Sequence, residues 1–240
     1  MISQVIGRTR SIAKRVLIGG RSPEQLFAGV QVNTILDIGA NVGQFAEAMR
    51  RVHPRAAIHS FEPVPNVAAK LKANFTADRN FYVHEIAISD RDGEHSFQVN
   101  EFSPSSSLLP VTDTHKQMFS FAQNTESIRV RLTTLDRWAE GRDLKPPILI
   151  KLDVQGNELS ALRGAHGILR RAAYLLTEVN FFQFYEGQPS FADIYSLVQP
   201  YGFEFIDFFA GAEHPKERRS LFGDALFART GRVSEEALAG

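Results

Sequence analysis

The sequence predicts a doubly wound α/β fold, a mostly parallel sheet with helices on both faces. Short β-branched runs alternate with segments of helical period along most of the chain, and repeated strand–helix units close into a parallel sheet through right-handed crossovers. In the first unit, "TILDIGANVGQFAEAM" (34–49), an apolar run, an acid and two glycines four apart lead into a helical pattern. Such sheets bind ligands beyond the carboxyl ends of their strands, where strand order reverses. The tips to interrogate are Asp37, Glu62, Ala87, Asp153 and Glu178, and four of these five are acidic.

Taken in order, "TILDIG" reads as a buried strand and "QFAEAMRRV" as its helix. "AIHSFEP" is a second strand, closed by Pro63 and Pro65, with "NVAAKLKANF" as its helix. "FYVHEIAIS" (81–89) is a third strand. From Asp90 to Thr134 the signal changes: "SFQVN" and "IRVRLTTL" read as strands around a loop rich in Ser, Pro and Thr, with "THKQMFSFA" as its one helical stretch. "PILIKLDV" is a fourth parallel strand, and "NELSALRGAHGILRR" (157–171) a helix with a stripe of Leu159, Leu162, Ile168 and Leu169. "AAYLLTEVN" is a fifth strand; "FADIYSLVQPYG" is a helix ended by Pro200 and Gly202. "FEFIDFF" and "DALFAR" close the chain as two strands.

At 240 residues and 43% hydrophobic, the chain suits one domain with a full core and a short extension. The expected division is a basic, helix-patterned extension over 1–28, the domain over 29–232, and a tail over 233–240. Before Glu24 the chain carries Arg8, Arg10, Lys14, Arg15 and Arg21 and no acid. These charges interrupt Val5, Ile6, Ile12, Val16, Leu17 and Ile18, which excludes a signal peptide; an amphipathic arm lying on a membrane surface or packed on the domain is expected. A net charge of zero removes the electrostatic footprint of a nucleic-acid binder. The absence of cysteine excludes a disulfide framework or thiolate zinc site and fits a cytoplasmic protein. No apolar stretch approaches the length of a membrane span.

The glycine loop is not a dinucleotide loop. Counting from Gly39, Asn41 and Gln44 stand where the second and third glycines of G-x-G-x-x-G belong, and no Gly-Lys-Ser/Thr follows to hold a phosphate. Asp37, just before the loop, suits a ligand with positive charge, while Gly39 and Gly43 permit close backbone approach and a tight turn. Glu62, at the end of the second strand, is placed to accept both hydroxyls of a ribose. A nucleoside with a cationic tail meets these demands, which describes S-adenosylmethionine. A nicotinamide-dependent oxidoreductase, the main rival, would also want a Tyr-x-x-x-Lys pair, and the chain has none. A base-specific amino methyltransferase would want Asn/Asp-Pro-Pro-aromatic where this chain reads "DVQG".

The segments "ILDIGANVGQFA", "SFEPVP", "AISDRDGE", "SSSL", "TTLDRW", "IKLDVQGNELSALRGA" and "DALFAR", in that order, resemble the FkbM-type S-adenosylmethionine-dependent methyltransferases from about Ile35 to Arg229. The resemblance implies a seven-stranded Rossmann-like sheet with an antiparallel last strand, and O-methylation of a hydroxyl on a sugar, glycolipid or natural product. It further implies that Asp37, Gly39, Ala40, Asn41, Gly43, Gln44 and Phe45 surround the methionine end, that Glu62 and Pro63 hold the ribose, that Ala87 borders the adenine, and that Asp153 faces the methyl group. The family usually shows Glu where this chain has Gln155, which bears on acceptor binding.

Methyl transfer to a hydroxyl needs alignment and removal of a proton. Asp153 and Glu178, on adjacent strand tips, are the candidate bases, with His115 and His214 as weaker ones. Asp153, Glu178 and Asn180 would alternatively hold Mg²⁺ through hard oxygen donors. Lys151 is expected to pair with a strand-tip carboxylate. Ser106 and Ser107 in the long loop, with Gln155 and Asn180, are candidate contacts to a small-molecule or glycan acceptor. No nucleic-acid partner is expected.

Overall fold

The computed structural model describes residues 22–100, 107–109, 112, 125–213, 217 and 219–229. The expected arm over residues 1–21, the candidates Ser106, His115 and His214, the stretch "THKQMFSFA" and the tail 233–240 lie outside the described residues.

The first element is a short helix, α1 (Pro23–Phe27), opened by a reciprocal capping box between Ser22 and Gln25. Phe27 is 1% exposed and packs with Val32, Ile35, Ala46 and Met49, while Glu24 pairs with Arg51 at 2.7 Å. This short helix lies within the helix-patterned extension expected over 1–28 and packs on the domain.

The elements that follow are β1 (Thr34–Ile38), α2 (Gln44–Val52), β2 (Ala57–Phe61), α3 (Pro65–Asn74), β3 (Phe81–His84), β4 (Ala87–Ile88), β5 (Gly93–Asn100) and β6 (Thr125–Thr133). After them come α4 (Leu135–Ala139), β7 (Ile148–Leu152), α5 (Glu158–Arg163), α6 (His166–Leu169), β8 (Ala172–Asn180), α7 (Phe191–Val198), β9 (Phe203–Glu213) and β10 (Ser220–Arg229). Seven strands form one sheet in the order β3-β2-β1-β7-β8-β10-β9. The first five run parallel, and β10 runs antiparallel to both β8 and β9. Every residue of β1 is buried because helices cover both faces. Leu36 and Ile38 enter the larger core with Phe61, Ile150 and Leu152; Ile35, pointing the other way, packs with Phe27, Met49 and Leu149. After β1 the chain passes to β2 on one side, and β7 comes in on the other, so the strand order reverses between β1 and β7.

The strand expected over 81–89 is two. β3 ends at His84, a tight turn with Ile86 N donating to His84 O at 3.0 Å follows, and β4 joins β5 and β6 in a separate three-stranded sheet. The helix expected over 157–171 also breaks in two. Asp136 accepts from the backbone N–H groups of Gly167 and Ile168 at 2.8 and 2.9 Å, which starts α6 as an independent turn. Among the described residues, no helix is long and apolar enough to cross a membrane.

Candidate functional site

The loop after β1 is built by backbone bonds to its neighbours. Gly39 N and Ala40 N both donate to Phe61 O at 3.0 Å, and Asp153 N donates to Ile38 O at 3.0 Å. Gly39 has φ +81, and a Cβ there would lie 1.9 Å from the Asp153 carbonyl oxygen. Gly43, at φ +96, opens α2 where a Cβ would meet Phe75 at 2.4 Å. Both glycines do allow a close approach, but the partner is the tip of β7 for one and the α3 side for the other. Ala40 is buried in the loop, Gln44 is exposed on the first turn of α2, and Phe45 is half-buried.

Beneath this loop Asp37 is fully buried. Its Oδ2 accepts from Ser60 Oγ at 3.4 Å, while Oδ1 has no hydrogen-bond partner and faces Lys151 Nζ across 3.5 Å. Lys151 also stands 3.6 Å from Asp153 and donates to Gly39 O at 3.2 Å. One ammonium thus ties together the tips of β1 and β7. Burial works against its charge, but Asp153, Asp37, Asp224 and Glu178 outweigh that and push its pKa up to about 12. Asp37 is held above the usual carboxylate range by burial, against the pull of Lys151.

Glu62 is 7% exposed, and both of its oxygens are anchored: Oε2 accepts from Asn41 N at 3.0 Å and Oε1 from Val64 N at 2.9 Å. Burial raises its pKa to about 7, against the two backbone donors. Asn41 reaches this position through a left-handed backbone, φ 51, which Asn tolerates better than most residues.

The third wall is the loop after β7. Gln155 has φ 55 and is 5% exposed, a backbone state that costs a non-glycine residue about 1–3 kcal/mol and needs compensation. The compensation is a set of hydrogen bonds. Its Nε2 donates to Asp153 Oδ1 at 2.6 Å and Glu178 Oε1 at 3.3 Å; its Oε1 accepts from Tyr185 OH at 2.9 Å; its backbone carbonyl accepts from Ser107 Oγ at 2.6 Å. Glu158, 1% exposed at the start of α5, accepts from Val154 N and Gly156 N at 3.1 and 3.2 Å and closes the loop on itself. Burial lifts its pKa to about 7. Asn157 Nδ2 donates to Ile88 O at 3.2 Å and binds the loop to β4.

Between these walls lies a cleft of about 610 Å³ counting the solvent at its open mouth. It is lined by the apolar side chains of Phe61, Ile86, Ala87, Ile88, Phe97 and Leu108, and by Glu62, Pro63, Gly39, Asn41, Asp153, Gln155 and Asn157. Of the residues expected to hold the cofactor, Gly39, Asn41, Glu62, Pro63, Ala87 and Asp153 line it; Asp37, Ala40, Gly43, Gln44 and Phe45 are not among its lining residues. Phe97, Leu108, Asn157 and Glu158 were not singled out by sequence. The first two come from the small sheet and the segment bridged to it, whose place no local pattern reveals.

Glu178 and Asn180 lie at the tip of β8, and Asp224 on β10 stands directly opposite Glu178 in the antiparallel ladder. Burial and Asp153 raise Asp224 to about 6. Ser107 is 1% exposed, with its hydroxyl engaged by Gln155 and by Leu109 N at 3.0 Å, so it braces the wall of the cavity. The Mg²⁺ donor set does not fit. Asn180 offers its nitrogen, not its oxygen, to Glu178 at 3.4 Å, and the Gln155 amide occupies the gap between Asp153 and Glu178. Among the described residues, no group of three or more His, Cys, Asp or Glu side chains is arranged to hold a metal.

Comparison with known proteins bears on what this cavity takes. Residues 37–205 match the model of the methyltransferase FkbM domain. The 2-O-methyltransferase NoeI of Sinorhizobium fredii is 30% identical over 203 residues, 82% of this chain and 79% of that protein. The hexuronic acid methyltransferase AglP of Haloferax volcanii is 25% identical over 149 residues, 62% of this chain and 56% of that protein. The structure of magnesium protoporphyrin IX methyltransferase from Synechocystis, with bound S-adenosylmethionine, superposes with a TM-score of 0.53 at 9% identity over 95% of this chain and 82% of that one, a likeness of fold.

Proposed function

The chain belongs to the FkbM methyltransferase family and is an S-adenosylmethionine-dependent methyltransferase, and from that premise we propose that it methylates a hydroxyl of a sugar or sugar-bearing molecule, with Asp153 as the base. The observation that carries this reading is that one cavity, across the adjacent tips of β2, β1 and β7, is lined by apolar side chains, by the buried Glu62 carboxylate and by the Asp153–Gln155 tip. These surroundings suit an adenine, a ribose diol and a charged methyl donor. The donor supplies an activated methyl group on a sulfonium; the protein positions it and the acceptor and takes up the acceptor's proton.

In this reading Ile86, Ala87 and Phe97 flank the base, and Glu62 accepts both ribose hydroxyls while keeping its two backbone donors. The backbone of Gly39 and Asn41 borders the amino-acid end. Asp153 lines the cavity with its side chain partly exposed, and its carboxylate receives the acceptor proton, while the buried Glu178 behind it holds the Gln155 amide in place. The relative named for hexuronic acid supports a sugar acceptor, and the relative named for 2-O-methylation supports an oxygen as the methylated atom. The reading is tested by incubating the protein with methyl-labelled S-adenosylmethionine and a panel of neutral oligosaccharides, uronic-acid glycans and hydroxylated macrocycles. Label is expected on oxygen in at least one sugar, whereas label only on nitrogen would sink it.

Cofactor binding should depend on pH. Glu62 titrates near 7 in the free protein, and only its ionised form accepts two hydroxyls. Affinity for S-adenosylhomocysteine should therefore fall about tenfold per unit as pH drops below 7, level off above it, and release a proton on binding under acidic conditions. Glu158 is pushed to the same range but lies under the loop, so calorimetry on a Glu62→Gln variant separates the two: its profile should be nearly flat.

A further inference from the structure

The two carboxylates at the tips of β7 and β8 form the kind of pair that usually draws in a cation, yet a neutral side chain lies between them. We propose that the Gln155 amide fills the place a divalent cation would take between Asp153 and Glu178, with Tyr185 as the positioning residue that fixes which end of the amide faces them. The inference rests on the reading of Asp153 as the acceptor-facing base.

A primary amide carries two N–H donors, enough to meet one carboxylate with each. Gln155 Nε2 does this at 2.6 and 3.3 Å, and Asn180 Nδ2 adds a second amide donor to the same Glu178 oxygen at 3.4 Å. The orientation is set from behind. Tyr185 is 2% exposed, and its hydroxyl donates to Gln155 Oε1 at 2.9 Å. With nitrogen and oxygen exchanged, the amide oxygen would face two carboxylate oxygens and Tyr185 would lose its acceptor. The Ser107 hydroxyl holds the Gln155 carbonyl at 2.6 Å, which keeps the side chain at this spot despite its left-handed backbone. The other oxygen of Asp153 is turned to Lys151 at 3.6 Å. A hard cation needs a shell of oxygen ligands around it; here its position is taken by hydrogen-bond donors that hold the pair apart without adding charge. Transfer at this site accordingly runs without a divalent cation.

Mn²⁺ titrated into the full chain, followed by the electron paramagnetic resonance of the free ion, tests this with no need of an acceptor. The wild-type protein should show no saturable site in the millimolar range. Q155E, which points a third carboxylate at the pair, should gain a site at least about tenfold tighter, since ligand charge count governs such affinity. Q155G, which removes the amide and suits the left-handed backbone, should gain a weaker one, and Y185F, which frees the amide to turn, a weaker one still. S-Adenosylhomocysteine affinity on the same samples checks that each variant is folded and tests the cofactor reading separately. A saturable Mn²⁺ site in the wild type that disappears in E178Q would overturn the proposal. So would Q155E and Q155G that bind the nucleoside normally and gain no Mn²⁺ site.

Discussion

Replacing Glu62 by Gln is expected to weaken S-adenosylhomocysteine binding about 100-fold, close to 2.7 kcal/mol, measured by calorimetry at pH 8. Hydrogen bonds to a charged acceptor contribute about 1.5–3 kcal/mol each, and the ribose reading places two on this carboxylate. The variant also disturbs the loop. Glu62 meets the N–H groups of Asn41 and Val64 with one oxygen each, so an amide would confront one of them with its own N–H. The loss should therefore exceed that of a single hydrogen bond while the fold, whose core lies elsewhere, persists. Binding within threefold of wild type would remove Glu62 from the cofactor site.

Asp153→Asn should leave nucleoside binding within a few-fold of wild type and lower turnover on the sugar acceptor by about 10²–10⁴, the range for loss of a positioned base. Asn can still accept from the Gln155 amide and keep the loop in place, so the split between binding and turnover is the informative reading. Glu178→Gln, farther from the cavity and not among its lining residues, should cost less. A variant of Asp153 that retains full turnover would move the base elsewhere.

How much of this was legible beforehand follows from how local each signal is. β1, β7 and β8 are covered on both faces, so they read as largely apolar runs, and Asp37, Asp153 and Glu178 at or beside their ends mark the strand tips. Gly39 and Gly43 were legible as positions of close approach, but what they approach, Asp153 and Phe75, is set by packing between elements far apart in the chain. The separate sheet was hidden because the apolar, strand-like run of Phe81–His84 resumes at Ile86–Ile88 after Glu85 alone, with no Gly or Pro to mark the turn. The role of Gln155 was hidden for a related reason: its partners Glu178 and Tyr185 lie 23 and 30 residues away on other elements. Asp224 reads in sequence as an unremarked acid in "DALFAR", and only the antiparallel register sets it opposite Glu178.

A crystal structure with S-adenosylhomocysteine bound tests the whole arrangement at once. The account predicts both ribose hydroxyls within about 2.6–3.2 Å of the Glu62 carboxylate, the adenine beside Ala87, and the sulfur turned toward Asp153 and Gln155. A nucleoside whose ribose lies away from Glu62, or whose sulfur faces away from the tip of β7, would contradict it.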